Sequence, residues 1–136
     1  MPRRPDRVRR VDRSRADVYF KKATEFFRSM QHAMQTEQWN AVGLNAVHCA
    51  ISSCDAVLVY YSERRSASSD HEAAVFLLKS LTELPDARQK AETLRRILHE
   101  KNLVEYEDRP LSEHDAAGLA KLTERFYRWA HDLLMS

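Results

Sequence analysis

Apolar residues recur at intervals of three or four along almost the whole chain, the spacing that places them on one face of a helix. The first such pattern predicts a helix over about residues 15–36, and the second predicts another from about Trp39 to Tyr61. The second pattern is also poor in charge, because Asp55 is its only charged residue before Glu63. A helix that is apolar nearly all round lies at the centre of a fold or faces a partner. The apolar face of the first predicted helix consists of Tyr19, Ala23, Phe26, Met30 and Met34. That of the second consists of Leu44, Val47, Ile51, Cys54, Leu58 and Tyr61.

Three further helices follow from the same spacing and from local start and stop signals. A polar stretch without periodicity, 62–69, predicts a loop, and the third helix then runs up to Pro85, which cannot continue it. The fourth helix opens at Asp86 and its pattern fades after Asn102, while the fifth begins beyond Pro110. A serine followed three residues later by an acid is a signature of a helix start. It occurs at Ser14 with Asp17, Ser69 with Glu72, and Ser112 with Asp115.

The five helical segments have short links and no strand pattern between them. They predict an all-α fold, an antiparallel up-and-down bundle of four to five helices. Composition agrees, since 136 residues with 43% hydrophobic and 31% charged residues suit one globular domain. The two glycines, Gly43 and Gly118, are far apart and exclude a glycine-rich phosphate loop.

Charge is distributed unevenly along the chain. Residues 1–15 hold seven arginines against Asp6 and Asp12, a net charge of +5, which leaves −3 for the rest because the total is +2. We expect residues 1–15 to be a disordered basic arm and residues 16–136 to be the bundle domain. The arm is either simply solvated or binds phosphates by releasing their counterions.

The cysteines and the lengths of the apolar runs indicate the cellular compartment of the protein. Cys49 and Cys54 lack the spacing of a metal or disulfide motif, so we interpret them as small core residues in a reducing compartment. No apolar run reaches the roughly 18 residues that a membrane span needs, and no apolar segment follows the basic N-terminus. We therefore expect a cytoplasmic protein without membrane contact. No ligand spacing of the HExxH kind is present, so we expect no metal and no other cofactor.

Two groups of polar residues are candidates for a site. Asn45, His48, Ser52 and Asp55 fall at helical spacing and form a polar seam beside the core stripe of the second helix. This seam is either structural, with each group satisfied locally, or the wall of a pocket.

The second group is the stretch from Lys101 to Arg109, where a cation, an amide, a carboxylate, a phenol and another cation fall within nine residues. On a continuing helix Lys101 and Glu105 would pair at i, i+4, which is the alternative to a functional cluster. Its candidate binding residues are Lys101, Asn102, Glu105, Tyr106 and Arg109.

Three segments of the chain, in this order, resemble the HEPN family of small helical-bundle domains. They are Asn45–Ile51, Ser69–Leu78, and the Lys101-Asn102-x-x-Glu105-Tyr106 pattern. The resemblance extends over roughly residues 16–135. It implies an up-and-down bundle, dimerisation through central helices, and links to RNA, nucleotidyltransferases, and toxin–antitoxin or defence systems.

Active members of that family are metal-independent ribonucleases with an Arg-x(4–6)-His motif, in which histidine moves protons and arginine stabilises phosphate charge. Here Lys101 and Tyr106 stand at those two positions. Lysine lacks the bidentate fork of arginine, and tyrosine, with an ordinary pKa of about 10, shuttles protons poorly at neutral pH. The pair Arg109 and His114 also fits the spacing, but such pairs recur by chance in a chain rich in arginine.

These observations lead to one expected function and two alternatives. We expect a HEPN-like domain, not catalytic in view of Lys101 and Tyr106, that binds RNA, a nucleotide or a protein partner, such as a nucleotidyltransferase, as a homodimer. The first alternative is a ribonuclease toxin that uses Lys101 and Tyr106, or Arg109 and His114, across a dimer axis. The second is a purely structural dimerisation or antitoxin-like scaffold.

Overall fold

A computed structural model describes residues 8–67, 71–106 and 110–135, of which 101–106 are described as backbone. The described residues form five helices in an all-α bundle, which confirms the predicted fold class. Their bounds are α1 Ala16–Gln35, α2 Trp39–Ser62, α3 Glu72–Lys79, α4 Ala87–Tyr106 and α5 Glu113–Met135.

A small two-stranded sheet accompanies the helices, although the sequence pattern predicts no strand. Strand β1, Val8–Arg10, pairs antiparallel with β2, Arg64–Ser66, and a 3₁₀ helix, Arg13–Arg15, leads from β1 into α1. The predicted disordered arm is therefore wrong for residues 8–15, while residues 1–7 lie outside the described residues. Three-residue strands are too short for alternation to show in the sequence, and β1 is ordered by a partner that is remote along the chain.

Helix α2 is the centre of the fold, as its nearly all-round apolar pattern predicts. It packs against α1, α4 and α5, and every residue from Ser52 to Val59 is buried. Full burial of a side chain such as Leu58 contributes about 1.5–3 kcal/mol, so α2 supplies much of the apolar contact that holds the bundle together. Cys49 and Cys54 belong to this core and form no disulfide, and burial raises the pKa of Cys49 to about 12.

Among the described helices, α2 is also the one that is long and apolar enough to cross a membrane, although the sequence pattern indicated no such run. In the fold, 78% of its apolar window is buried against the other helices. This burial is what the central helix of a bundle requires.

An aromatic stack joins α1 to α5. The ring of Tyr127 lies 5.2 Å from that of Phe20 and 4.4 Å from that of Phe27, and both pairs are nearly parallel. The Tyr127 hydroxyl shares a hydrogen bond of 2.8 Å with the hydroxyl of Thr24. The stack fixes the register of the two helices, because ring contacts and a hydrogen bond must be satisfied together.

The start of α5 is the predicted capping box. The backbone N–H of Asp115 donates to Ser112 Oγ at 3.0 Å, and the N–H of Ser112 donates to Asp115 Oδ2 at 3.3 Å. These reciprocal bonds satisfy two backbone donors that a helix start leaves open.

The predicted cap of α1 by Ser14 and Asp17 is wrong. Arg15 precedes the first residue of α1 without a side-chain cap, because the chain arrives through the 3₁₀ helix. The side chain of Asp12 instead accepts the N–H of Ser14 at 2.8 Å and caps that shorter helix. The third predicted cap depends on Ser69, which lies outside the described residues.

Helix α4 continues farther than its apolar pattern indicates. Its backbone is helical through Tyr106, whereas the pattern fades after Asn102. Loss of an apolar stripe does not end a helix when good helix formers such as Lys101, Leu103 and Glu105 follow and no proline intervenes before Pro110.

Candidate nucleic-acid interface

The short sheet places arginines directly opposite one another. Arg9 pairs with Arg65 and Arg10 pairs with Arg64 in the antiparallel register. Directly opposed residues have their Cβ atoms about 5 Å apart on the same face of a sheet, and like charges in that position are destabilising. The register therefore sets two pairs of arginines side by side, one pair on each face of the ribbon.

We refer to β1, β2 and the 3₁₀ helix together as the arginine ribbon. Six of its nine residues are arginine, namely Arg9, Arg10, Arg13, Arg15, Arg64 and Arg65. Two acids flank it, and their carboxylates accept backbone N–H groups: Asp12 that of Ser14, and Glu63 that of Arg13 at 3.1 Å. The guanidinium groups of Arg9, Arg10, Arg13 and Arg15 belong to residues that are exposed to solvent.

One arginine of the ribbon points into the bundle and anchors it. Arg65 lies 3.4 Å from the carboxylate of Asp55 on α2, and its guanidinium carbon lies 5.1 Å from the ring centroid of Tyr19 on α1. The anchor is imperfect, because Arg65 Nε is buried without a hydrogen-bond partner among the described residues. Isolated two-stranded hairpins are marginal in water, so this contact with two helices helps to keep the ribbon folded.

A second anchor holds the 3₁₀ helix against the end of α2. Arg13 Nε donates to the backbone carbonyl of Tyr60, and the N–H of Val11 donates to the carbonyl of Glu63 at 3.0 Å. Glu63 itself ends α2 in the left-handed conformation, with φ of 54°, which turns the chain toward β2. The end of α2 and the ribbon are therefore one continuous hydrogen-bonded unit.

Asp55 is a buried carboxyl group whose environment favours its neutral form. Only 5% of the residue is exposed, and this burial raises the pKa of Asp55 to about 6, although the charges of Arg65 and Lys22 act in the opposite direction. Desolvation thus outweighs the ion pair here, in keeping with the long contact of 3.4 Å to Arg65.

The polar seam predicted on α2 does not form one pocket wall. The amide of Asn45 donates to the carbonyl of Ala41 within its own helix, and His48 is exposed with its ring stacked on Phe26 at 5.3 Å. Ser52 is buried, and Asp55 belongs to the anchor of the ribbon. The residues of the seam therefore do not line one pocket: His48 faces solvent, whereas Asp55 contacts Arg65 of the arginine ribbon.

The stretch from Lys101 to Arg109 is described only as the backbone of α4 up to Tyr106. The side chains of Lys101, Asn102, Glu105 and Tyr106, and the whole of Arg109, lie outside the described residues. His114 is exposed in the first turn of α5, beside the capping box. The structure thus places one of the four catalytic candidates on the surface and does not test their convergence.

The sequence did not predict that the arginine ribbon is a folded unit. It left the arginines of residues 1–15 as an arm that is either solvated or binds phosphates, and Arg64 and Arg65 fall within the predicted polar loop. Val8 and Val11, which flank the Arg9-Arg10 pair, are the available signal, since β-branched residues favour strands. A pattern this short does not identify its pairing partner.

Comparison with known proteins adds no identification. No protein-family model matches the chain, and no curated protein matches it significantly. The described residues contain no cluster of three or more histidine, cysteine or acidic side chains arranged to hold a metal ion.

Proposed function

We propose that this chain is a non-catalytic nucleic-acid-binding domain whose contact surface is the arginine ribbon. The observation that carries the proposal is the register of the sheet, which sets Arg9 against Arg65 and Arg10 against Arg64. Opposed like charges cost stability in the free protein. Asp55 already offsets part of this cost at Arg65, and a polyanion bound to the exposed arginines would offset the rest and add charge-assisted hydrogen bonds to phosphates.

The resemblance to HEPN domains directs the proposal to RNA. The guanidinium group is suited to this role, because its planar fork matches phosphate oxygens in two parallel hydrogen bonds. Affinity from such contacts is largely independent of sequence and falls steeply with salt concentration. A homodimer in a bacterial defence-type system is part of the same proposal.

The direct test is RNA binding by a variant that lacks the two exposed arginines of β1. Fluorescence anisotropy with a labelled single-stranded RNA would compare the wild type with Arg9→Gln/Arg10→Gln. We expect the affinity to fall on the order of 100-fold, because each of the two charge-assisted contacts contributes about 1.5 kcal/mol. The slope of log affinity against log salt should decrease by about 1.4, since each phosphate that is no longer neutralised accounts for roughly 0.7.

The matched control is Arg88→Gln/Arg96→Gln, which removes two exposed arginines from α4. It makes the same change in net charge and should retain most of the affinity. Equal losses in the two double variants would show that total charge matters rather than the ribbon, and would overturn the proposed surface. Absence of RNA binding by the wild type at low salt would overturn the function itself.

The non-catalytic part of the proposal rests on Lys101 and Tyr106 at the positions where active HEPN members have arginine and histidine. Incubation of labelled RNA with the protein in chelator should leave the RNA intact. Metal-independent cleavage that disappears in Lys101→Ala/Tyr106→Phe would favour the ribonuclease alternative instead.

A further inference from the structure

An exposed aromatic side chain stands at the edge of the arginine ribbon. Tyr60, in the last turn of α2, is 42% exposed, although it belongs to a helix that is otherwise the buried centre of the fold. Its backbone carbonyl accepts the hydrogen bond from Arg13 Nε, so the residue is in direct contact with the ribbon.

The ring of Tyr60 is held by its neighbour. The ring of Tyr61 meets it edge-on, with centroids 5.0 Å apart and planes at 76°. Arg64, which follows four residues after Tyr60 and begins β2, places a further positive charge in the same region. Tyr60 therefore combines an exposed ring, packed edge-on against Tyr61, with a backbone carbonyl that is hydrogen-bonded to the guanidinium of Arg13.

From this juxtaposition we propose that the arginine ribbon takes single-stranded rather than double-stranded nucleic acid, with an unpaired base stacked on Tyr60. This inference rests on the proposed function and names its substrate class. Sites for single strands combine a basic track for the phosphates with aromatic rings for the bases, because every base has a stackable face. In a duplex the bases are stacked on each other, so a flat ring beside the phosphates gains nothing from them.

The described residues include six large apolar side chains that are exposed, and two of them, Tyr60 and Val8, belong to or adjoin the arginine ribbon. Two exposed apolar residues within or against an arginine cluster differ from the plain charged surface that solubility alone would require.

The test compares single-stranded and duplex RNA of the same sequence and length with the full chain. For the wild type we expect tighter binding of the single strand at equal salt. Tyr60→Leu should weaken binding of the single strand by about 5- to 150-fold, the range for one stacked base, and should leave binding of the duplex unchanged. Tyr60→Phe keeps the ring and should stay within about twofold of the wild type.

Two further measurements separate stacking from other causes. Phe76→Leu removes the most exposed aromatic side chain of α3, 71% exposed, and is the matched control that should not change the affinity. The salt slope should be the same for the wild type and Tyr60→Leu, because stacking releases no counterions. Circular dichroism and thermal unfolding of each variant confirm that the bundle is intact.

The outcomes distinguish this inference from the function on which it rests. If Arg9→Gln/Arg10→Gln weakens binding but Tyr60→Leu does not, the ribbon binds nucleic acid and the stacking site is overturned. Tighter binding of the duplex than of the single strand would also overturn it. If neither form binds at low salt, the proposed function fails together with the inference.

Discussion

The guanidinium of Arg65 on β2 lies 3.4 Å from the buried carboxylate of Asp55 on α2. This contact is one of the anchors that join the arginine ribbon to α2, beside the hydrogen bond from Arg13 Nε to the Tyr60 carbonyl. The side chain of Asp55 is only 8% exposed, whereas that of Arg65 is 26% exposed. The two partners are therefore desolvated to different extents. The contact therefore has consequences for stability that depend on pH and on which partner is removed.

The first prediction concerns pH. The folded pKa of Asp55 is about 6, above its ordinary value of 3.8. The folded chain therefore binds a proton between about pH 4 and pH 6 that the unfolded chain has released, and the stability from this group is present below pH 4 and lost as pH rises through 6. We expect the free energy of unfolding of the wild type, relative to Asp55→Asn, to decrease by on the order of 2 kcal/mol from pH 4 to pH 7.

Urea unfolding of both proteins at unit steps from pH 4 to pH 8 measures this difference. The exposed aspartate Asp132, changed to asparagine, is the control for loss of a surface carboxylate. A difference between the wild type and Asp55→Asn that does not vary with pH would contradict an Asp55 pKa near 6.

The second prediction concerns removal of the cation. Arg65→Met leaves the carboxylate of Asp55 buried without its neighbouring charge, which should lower the stability at pH 7 by about 1–3 kcal/mol. Adding Asp55→Asn to that variant removes the stranded charge and should restore most of this stability. A double-mutant cycle from thermal unfolding measures the coupling free energy between Arg65 and Asp55. Additive effects of the two substitutions would show that their contact contributes nothing to stability.

The third prediction concerns a buried hydroxyl on α5. Thr123 is 0% exposed, and its Oγ1 has no hydrogen-bond partner among the described residues. Thr123→Val replaces the hydroxyl with a methyl group of similar size and should raise the free energy of unfolding by about 1 kcal/mol. Thr24→Val is the matched control, since it breaks the bond to Tyr127 and should lower the stability by roughly the same amount. A decrease in stability in Thr123→Val would indicate that its hydroxyl is satisfied after all.

The fourth prediction concerns the turn between α1 and α2. Glu37 has φ of 57°, a left-handed conformation that costs a residue with a side chain about 1–2 kcal/mol. Glu37→Gly relieves this strain but adds freedom to the unfolded chain, so we expect a net increase in stability of about 0.5 kcal/mol. Gln31→Gly, within α1, should instead lower the stability by about 1 kcal/mol. Chemical unfolding resolves the opposite signs, and a decrease in both variants would exclude strain at Glu37.

Much of the fold followed from the sequence because helices are local structures. The spacing of apolar residues located α1 and α2 within one or two residues, and the capping box of Ser112 and Asp115 was correct. Such signals act over three or four residues, which a single segment of sequence contains in full.

The site was harder to predict from the sequence, because it depends on contacts between segments that are remote along the chain. Nothing around Arg9 indicates that Arg65 will stand opposite it, and nothing around Asp55 indicates that its partner comes from a strand. The predicted polar seam contained the correct aspartate, but its function as an anchor became visible only with the sheet.

The pairing of β1 with β2 also has a consequence for the order of events in folding. Arg13 and Glu63, which meet beside the sheet, are 50 positions apart, so closing this loop costs chain entropy that α1 and α2 do not incur in forming their own turns. We therefore expect the helices to form first and the ribbon last. On the ribosome, the first strand emerges long before its partner exists, and its arginines become an organised surface only after α2 has been synthesised and packed.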